Sequence, residues 1–178
     1  MATIQVLDKR FQPYISALQI NEQIAKLGRQ INIDYKDKRP LFIAILNGSF
    51  MFASDLFKEL TIEAEICFIK LASYKGTKST GNVITSIWLD IPLQERHVVI
   101  VEDIVDTGKT LSEFLPQLIN QQPASLKIAS LLHKPEALVH PLVIDYLGFS
   151  VPDKFLLGYG LDYDGLGRNL KEIYQVID

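Results

Sequence analysis

The chain alternates between fully apolar runs and amphipathic stretches. Residues 41–46 and 98–101 are apolar throughout, and the second run consists of four consecutive β-branched residues. Runs of this kind are typical of strands that are covered on both faces of a sheet. Apolar residues at helical spacing predict an amphipathic first helix: Ile20, Ile24, Leu27 and Ile31.

Further elements continue this alternation. A helix is predicted over about residues 50–60, and a strand with one wetter face over residues 62–66, where polarity alternates with a period of two. Other strands are predicted near residues 96–101, 126–132, 142–147 and 155–159. With no repeat and no linker, the pattern predicts the α/β class, with one doubly wound, mostly parallel sheet in a single domain over residues 1–178.

Composition narrows the class of protein. The chain has 178 residues, 48% of them hydrophobic, which suits one domain with a sizeable core and excludes a disordered protein. Its longest apolar runs are too short to cross a bilayer, and its first residues lack the pattern of a secretory signal. The net charge of -3 disfavours a nucleic-acid binder, and the single Cys67 permits no internal disulfide. We therefore expect a cytoplasmic protein that binds neither nucleic acid nor membrane, with Cys67 packed in a core.

Candidate chemistry concentrates directly after the β-branched run. Glu102, Asp103 and Asp106 follow it, and a Thr-Gly-Lys-Thr turn over residues 107–110 leads into a predicted helix. Acids at the carboxyl end of a buried strand lie where open α/β sheets bind their ligands. A turn with a glycine and two hydroxyls at a helix N-terminus is suited to hold phosphate. An ATP-type phosphate loop is excluded, because Asp103 occupies the position of its first glycine, and no three-glycine dinucleotide turn follows a predicted strand.

This segment resembles the 5-phosphoribosyl-1-pyrophosphate (PRPP) motif of type I phosphoribosyltransferases, in the form used by the hypoxanthine-guanine enzymes. Residues 46–49 resemble the pyrophosphate loop of that family, and residues 73–81 resemble its mobile hood. Matching points run in the expected order from about residue 43 to residue 170. The resemblance implies the type I fold and transfer of the 5-phosphoribosyl group to hypoxanthine or guanine, giving IMP or GMP and pyrophosphate. The polar stretch over residues 72–82 is then expected to close over the substrates as a lid.

The resemblance also implies roles for the acidic segment. Asp106 is expected to take a proton from the purine N7 as the general base, although an Asp at this position could instead cap the following helix. The residues expected to wrap the 5-phosphate are Thr107, Gly108, Lys109 and Thr110. The useful group of Lys109 is either its side chain or its backbone N–H. Glu102 and Asp103 resemble the acids that orient the ribose hydroxyls and a magnesium-bound water, and Asp162 resembles a direct ligand to a second Mg²⁺. Without the resemblance, Asp162 would be interpreted as a turn residue.

Residues on both sides of this segment resemble the base and pyrophosphate sites. Lys134 resembles the lysine that donates to the purine 6-oxo group, Phe155 the ring that stacks on the base, and Leu156 a residue whose carbonyl lies near the purine 2-position. Asp162 also falls where the family recognises the purine. The residues that resemble the pyrophosphate site are Asn47, Gly48, Ser73, Tyr74 and Arg168. His97, His133 and His140 are interpreted as structural or exposed.

One position departs from the family pattern. Asn47 stands where many members carry lysine in the pyrophosphate loop. The function of that loop rests on backbone N–H groups presented through a cis peptide, here between Leu46 and Asn47. Asn47 keeps these donors but removes a cation, so pyrophosphate affinity or subunit contacts are expected to differ, and Arg168 is expected to retain most of the anion binding.

Alternatives to the 6-oxopurine hypothesis remain open at this point. An enzyme with the same PRPP site could take xanthine or another base. An RNA-binding regulator that reuses the fold would need an exposed basic face, which the acidic balance of the chain disfavours. We expect small-molecule substrates and a homodimer or homotetramer, and the sequence does not choose between these two assemblies.

Overall fold

The computed structural model describes residues 2–72, 84–87 and 91–177. Three helices and ten strands are described in these ranges, with one short 3-10 helix at Pro135–Ala137. In chain order they are β1 (Ile4–Val6), β2 (Lys9–Ile15), α1 (Ala17–Asp34), β3 (Leu41–Leu46), α2 (Phe50–Lys58), β4 (Glu65–Ala72), β5 (Ile84–Ile87), β6 (His97–Val105), α3 (Lys109–Ile119), β7 (Ser125–His133), β8 (Tyr146–Ser150), β9 (Leu156–Leu157) and β10 (Ile173–Ile177).

The larger of two sheets has six strands in the order β5-β4-β3-β6-β7-β8. Strands β4, β3, β6, β7 and β8 run parallel, and β5 pairs antiparallel with β4. The prediction of a mostly parallel sheet is therefore confirmed. The chain moves from β3 to β4 on one side and from β6 to β7 on the other, so the strand order reverses between β3 and β6.

Helices cover both faces of this sheet. On one face, α1 and α2 pack on a cluster that includes Phe42, Ala44 and Val99. On the other face, α3 packs on a cluster that includes Ile43 and Ile100. Alternate residues within 41–45 and 98–101 thus enter opposite clusters, which explains why these two runs are apolar at every position.

The first helix forms as its pattern predicts. Its predicted apolar positions are all buried, namely Ile20, Ile24, Leu27 and Ile31. Ser16 caps its first turn in a reciprocal capping box with Gln19. Gly28 faces α2 so closely that an added Cβ atom would lie 2.5 Å from the Cβ atom of Glu59. These features place α1 tightly against α2.

Two predicted strands begin later than their patterns indicate. Residues 62–64 are not in a strand, because the pairing of β4 with β3 starts where Glu65 lies opposite Leu41. Residues 142–145 precede β8, whose pairing with β7 starts at Tyr146 opposite Ala129. The carboxylate of Asp145 instead accepts a hydrogen bond from the backbone N–H of Ile128, at 2.9 Å.

A second, antiparallel sheet was not predicted. It has the order β1-β2-β10-β9 and joins the first residues of the chain to the last. The predicted strand over residues 155–159 is wrong in extent and in place, because only β9 is extended and it pairs with β10 of this small sheet. Cys67 is half-buried against the cluster around α3, as expected. Among the described residues, none of the helices is long and apolar enough to cross a membrane.

Candidate active site

Several loops meet at the carboxyl edge of the large sheet. Residues 47–49 follow β3, residues 106–108 follow β6, and Lys134 follows β7. The first two loops flank the point where the strand order reverses, which is where open α/β sheets bind their ligands. The structure thus brings together segments that lie almost ninety residues apart in the sequence.

The acidic pair lies inside β6, which extends four residues beyond the predicted end at residue 101. Burial, and then the neighbouring carboxylate of Asp103, raise the pKa of Glu102 well above its ordinary value. Oε2 of Glu102 is buried without a hydrogen-bond partner among the described residues. Burial also raises the pKa of Asp103 to about 6, although its Oδ1 accepts the N–H of Ile104 at 3.0 Å. Two desolvated carboxylates of this kind indicate a site for a cation or for hydroxyl donors.

A small cavity lies over the turn that follows β6. Its volume is about 80 Å³, and its lining includes Glu102, Asp106 and the whole predicted phosphate segment, namely Thr107, Gly108, Lys109 and Thr110. Gly108 has a φ of +76° and caps the N-terminus of α3. A Cβ atom at Gly108 would lie 2.5 Å from the carbonyl oxygen of His140, so the turn packs closely on the segment that follows the 3-10 helix.

The side chain of Lys109 is exposed, and its backbone N–H donates to Oγ1 of Thr107 at 3.3 Å. This exposure agrees with the interpretation in which the backbone supplies the useful group. Gly108, and not Asp106, occupies the N-cap position of α3, so the alternative role of Asp106 as a helix cap is wrong.

A larger cavity of about 280 Å³ adjoins the first. It is lined by all four residues predicted to contact the purine, namely Lys134, Phe155, Leu156 and Asp162. Asp103, Asp106 and Leu161 also line it. Asp106 therefore lines both cavities. Its side chain would lie between a phosphate in the smaller cavity and a planar base in the larger one.

The ammonium of Lys134 is held by two carboxylates. Its Nζ lies 3.3 Å from Oδ2 of Asp106 and 3.2 Å from Oδ1 of Asp153. The side chain of Lys134 is only 10% exposed, whereas those of the two aspartates are about half exposed. Asp153 was not expected from the sequence, because no short motif joins it to a lysine nineteen residues earlier.

The loop after β3 packs on the acidic strand. The peptide bond between Leu46 and Asn47 is cis, as the resemblance implies. Gly48 lies so close to Asp103 that an added Cβ atom would be 1.6 Å from its Oδ2, and one added to Gly160 would be 2.0 Å from the carbonyl oxygen of Gly48. The side chain of Asn47 is exposed. The backbone of this loop is thus held between β6 and the segment after β9.

Arg168 lies beside this loop. Its Nη1 donates to the carbonyl oxygen of Gly160 at 2.7 Å, and its Nη2 pairs with Oδ1 of Asp162 at 2.5 Å. Oδ2 of Asp162 accepts the backbone N–H of Gly165 at 2.7 Å. Asp162 is therefore a turn residue and a wall of the larger cavity at the same time. Ser73, Tyr74 and the rest of the predicted hood at 73–81 lie outside the described residues.

No group of three His, Cys, Asp or Glu side chains is arranged to hold a metal within the described ranges. His97, interpreted as structural or exposed, lies apart from the acidic pair: its Nδ1 contacts Oγ of Ser125 at 2.8 Å, at the opposite edge of the sheet. The backbone N–H of His140, given the same interpretation, donates to the carbonyl oxygen of Thr107 at 3.0 Å, in the turn after β6. A ready-made protein cage is not what Mg²⁺ requires, because it retains water and takes oxygen ligands from substrate phosphates.

The fold and the paired cavities define a class of protein, which comparison with known families identifies. Residues 16–164 match the family described as the phosphoribosyl transferase domain, and the chain belongs to this family. The hypoxanthine phosphoribosyltransferase of Buchnera aphidicola is 43% identical over 166 residues, covering 92% of this chain and 94% of that protein. The hypoxanthine-guanine-xanthine phosphoribosyltransferase of Tritrichomonas foetus is 40% identical over 155 residues, covering 86% and 85%.

A solved structure agrees with these sequence comparisons. The crystal structure of a hypoxanthine-guanine phosphoribosyltransferase from Bacillus anthracis superimposes with a TM-score of 0.87 at 36% identity, covering 94% of this chain and 97% of that one. The type I phosphoribosyltransferase fold that the resemblance implied is therefore confirmed.

Proposed function

We propose that this protein transfers the 5-phosphoribosyl group from PRPP to hypoxanthine and guanine, giving IMP or GMP and pyrophosphate. The observation that carries the proposal is the position of Asp106, the one acidic residue that lines both the smaller cavity and the larger cavity among the described residues. The new bond joins C1 of the ribose to a ring nitrogen of the base, so it must form between these two spaces. The names of the relatives support the same reaction.

The base would enter the larger cavity against Phe155, a residue that is 41% exposed and could stack on it. Lys134 would donate a hydrogen bond to the 6-oxo oxygen. Adenine carries an amino group at that position, so two donors would face each other and binding would be poor. The carboxylate of Asp106 would then accept the proton from N7 of the base while the ring nitrogen that attacks C1 forms its bond to the ribose.

The 5-phosphate would occupy the smaller cavity. Lys109 and Thr110, in the first turn of α3, line this space, and the helix dipole favours an anion there. Pyrophosphate would leave toward Gly48 and Arg168, where backbone donors and a guanidinium are available. The Ser73 and Tyr74 contacts stay a prediction from the sequence.

Mg²⁺ is part of this proposal. The acidic pair fits a cation, because Oε2 of Glu102 is buried without a partner among the described residues and both pKa values are raised by burial. Glu102 and Asp103 would hold the ion through the ribose hydroxyls and water, and Asp162 would hold a second ion beside pyrophosphate. The ion would neutralise charge on the departing pyrophosphate. Asp162 is paired with Arg168, so it would have to share its carboxylate between the guanidinium and the ion.

A wider base range is the second candidate, because one relative at 40% identity is named for xanthine as well. Lys134 is proposed to donate to the 6-position, so it would not by itself reject a 2-oxo group. A steady-state comparison of hypoxanthine, guanine, xanthine and adenine, each with PRPP and Mg²⁺, tests both candidates. We expect efficient turnover of the first two and very slow turnover of adenine. Turnover of adenine at the rate of hypoxanthine would overturn the proposal.

The remaining sequence-based expectations extend this proposal. We propose that the enzyme is cytoplasmic and that it forms a homodimer or a homotetramer. Sedimentation of the purified protein would distinguish the two assemblies. The RNA-binding alternative predicts retention of RNA in a filter-binding assay at low salt. We expect none, because the net charge of the chain is -3.

A further inference from the structure

The ammonium of Lys134 faces two carboxylates where the proposed chemistry uses only one. Asp106 is assigned to the proton of the base, but Asp153 has no part in the reaction described above. Both aspartates lie at hydrogen-bond distance from Nζ, at 3.3 Å and 3.2 Å. An ammonium has three N–H donors, so one donor remains after both carboxylates are served.

Backbone hydrogen bonds fix the relative positions of these groups. The N–H of Lys134 donates to the carbonyl oxygen of Val105 at 2.9 Å, which ties the lysine to the end of β6. The N–H of Val151 donates to the carbonyl oxygen of His133 at 2.8 Å, which ties the segment carrying Asp153 to the end of β7. Lys134, which follows β7, thus lies between Asp106 after β6 and Asp153 after β8.

Asp153 holds the lysine from outside the larger cavity. The described residues that line this cavity include Lys134 and Asp106, but Asp153 is not among them. A group in this position acts on the substrate only through the lysine. The segment then turns, with the N–H of Lys154 donating to the carbonyl oxygen of Pro152 at 2.8 Å, and Phe155 follows at the cavity wall.

We propose that Asp153 is a positioning residue that holds the ammonium of Lys134 away from full pairing with Asp106, so that its third N–H is directed at the 6-oxo oxygen of the base. This inference rests on the proposed function. Without Asp153, the ammonium has one strong partner left and moves toward Asp106. That movement withdraws the donor from the base and engages the oxygen that must accept the N7 proton.

The variant Asp153→Asn tests this role in the intact enzyme. It keeps the shape of the side chain and removes its charge. We expect kcat/KM for hypoxanthine to fall about tenfold, with contributions from both KM and kcat, because a displaced donor and an occupied base act on both. The KM for PRPP is expected to stay within about twofold of the wild-type value, a split that general damage to the fold would not produce. Asp153→Glu, which keeps the charge, is expected to recover part of the loss.

A double-mutant cycle with Lys134→Ala separates positioning from a structural role. When the lysine is absent, Asp153 has nothing to position, so adding Asp153→Asn is expected to change kcat/KM less than twofold. Glu136→Gln is the matched control, since it removes an exposed acid two residues after the lysine. An equal loss from Asp153→Asn in both backgrounds, or an equal loss from Glu136→Gln, would overturn the inference.

A readout without substrate keeps this test independent of the proposed function. Ammonium ¹⁵N–¹H NMR of the free enzyme detects lysines whose N–H groups are held in hydrogen bonds, and Lys134→Arg assigns the signal. We expect the signal in the wild type and its loss or a clear shift in Asp153→Asn. An unchanged signal would overturn the inference whatever the base assay shows, whereas poor turnover of 6-oxopurines by the wild type would overturn only the proposed function.

Discussion

At the scale of single residues, the proposed site depends on Asp106, which lines two cavities. Asp106 lines both the smaller and the larger cavity, and it also pairs with Lys134. Its side chain is 47% exposed, so a bound base can reach it without displacing packed atoms. In the proposed reaction, Asp106 would act through its position between the two cavities. Its ion pair with Lys134 would fix its orientation.

The variant Asp106→Asn is expected to lower kcat by about 100-fold or more, because the amide cannot accept the N7 proton. The KM for PRPP should change far less, since the phosphate contacts come from neighbouring backbone. Steady-state kinetics with hypoxanthine measure both values. Asp37→Asn, an exposed position in the turn before β3, is the control for a lost negative charge. Near-normal turnover in Asp106→Asn would contradict its assignment as the base.

The variant Lys134→Ala is expected to reduce kcat/KM for hypoxanthine and guanine together by about 10- to 150-fold. This range corresponds to the loss of one charged hydrogen bond, worth roughly 1.5–3 kcal/mol. PRPP binding should be nearly unchanged, because the lysine lies on the base side of the site. A variant that lost activity with only one of the two bases would show that Lys134 does not contact the shared 6-oxo group.

At the scale of elements, one hydrogen bond ties the end of α1 to the start of β8. The hydroxyl of Tyr146 donates to Oδ2 of Asp34 at 2.7 Å, and Lys127 lies 3.4 Å from the same oxygen. The hydrogen bond from Tyr146, and to a smaller extent the charge of Lys127, lower the pKa of Asp34 below its ordinary value. A carboxylate with a lowered pKa stabilises the folded state when ionised.

The variant Tyr146→Phe is therefore expected to lower the free energy of unfolding by about 1 kcal/mol at pH 7, a value discounted because Asp34 is partly exposed. The contribution is present above the pKa of Asp34 in the unfolded chain and is lost as the pH falls through the lowered folded value. The difference between variant and wild type should thus shrink below roughly pH 4. Urea unfolding at pH 7 and at pH 3 measures it. A difference that grows on acidification would contradict the linkage.

The small antiparallel sheet supports the base cavity from behind. The ring of Phe11 on β2 lies 6.3 Å from that of Phe155, and the ring of Tyr163 lies 5.7 Å from it in a T-shaped contact. The hydroxyl of Tyr163 donates to Oδ1 of Asp8 at 2.6 Å, and this bond raises the pKa of Tyr163 to about 12. The first strands of the chain thus help to set the orientation of the ring expected to stack on the base.

The variant Phe11→Ala is expected to cost about 3–5 kcal/mol of folding free energy, because the ring is fully buried. It should also raise the KM for hypoxanthine several-fold, since Phe155 loses a supporting ring, while the KM for PRPP changes little. Tyr14→Ala, an exposed aromatic on the same strand, is the matched control. Urea unfolding and kinetics below the melting temperature separate the two effects. Equal changes in both KM values would refute the support of Phe155 by β2.

At the scale of the whole molecule, a nucleotide product would join segments that follow different strands. A nucleotide product would contact the loop after β6, the loop after β7 and the segment before β9 at once. Binding to the folded state alone stabilises a protein by about 2.7 kcal/mol when the ligand is present at 100 times its Kd. For a chain of this length, that corresponds to a rise in Tm of about 5–10 °C.

We expect this rise with IMP, and a much smaller one with AMP at the same concentration. The two nucleotides share the 5-phosphate and ribose, so the difference reports the 6-position that Lys134 is proposed to contact. Differential scanning fluorimetry over a range of concentrations measures it. Equal shifts with IMP and AMP would show that the base cavity does not distinguish an oxo group from an amino group.

The parallel strands of the large sheet and the candidate site residues could be predicted from the sequence, because both depend on local patterns. The antiparallel edge strand β5 was not predicted. Continuous apolar runs specify β3 and most of β6. The Thr-Gly-Lys-Thr motif specifies the turn after β6, which lines the smaller cavity. Strand boundaries were less certain, since a strand begins where a partner is available, as Glu65 does opposite Leu41. The antiparallel sheet was missed because its pairing joins the two ends of the chain, and β1 and β9 are only three and two residues long.

Only the tertiary structure decided how the charges are shared. Sequence spacing does not show that Asp153 and Asp106 hold the same ammonium, that Asp162 pairs with Arg168, or that Gly48 lies against Asp103. These contacts join residues from different strand ends, and their distances follow from the packing of the whole sheet. The sequence thus determined which groups stand at the carboxyl edge, because motif and strand lie together in the chain. Their partners were decided by the fold, because electrostatic interactions depend on distances through space.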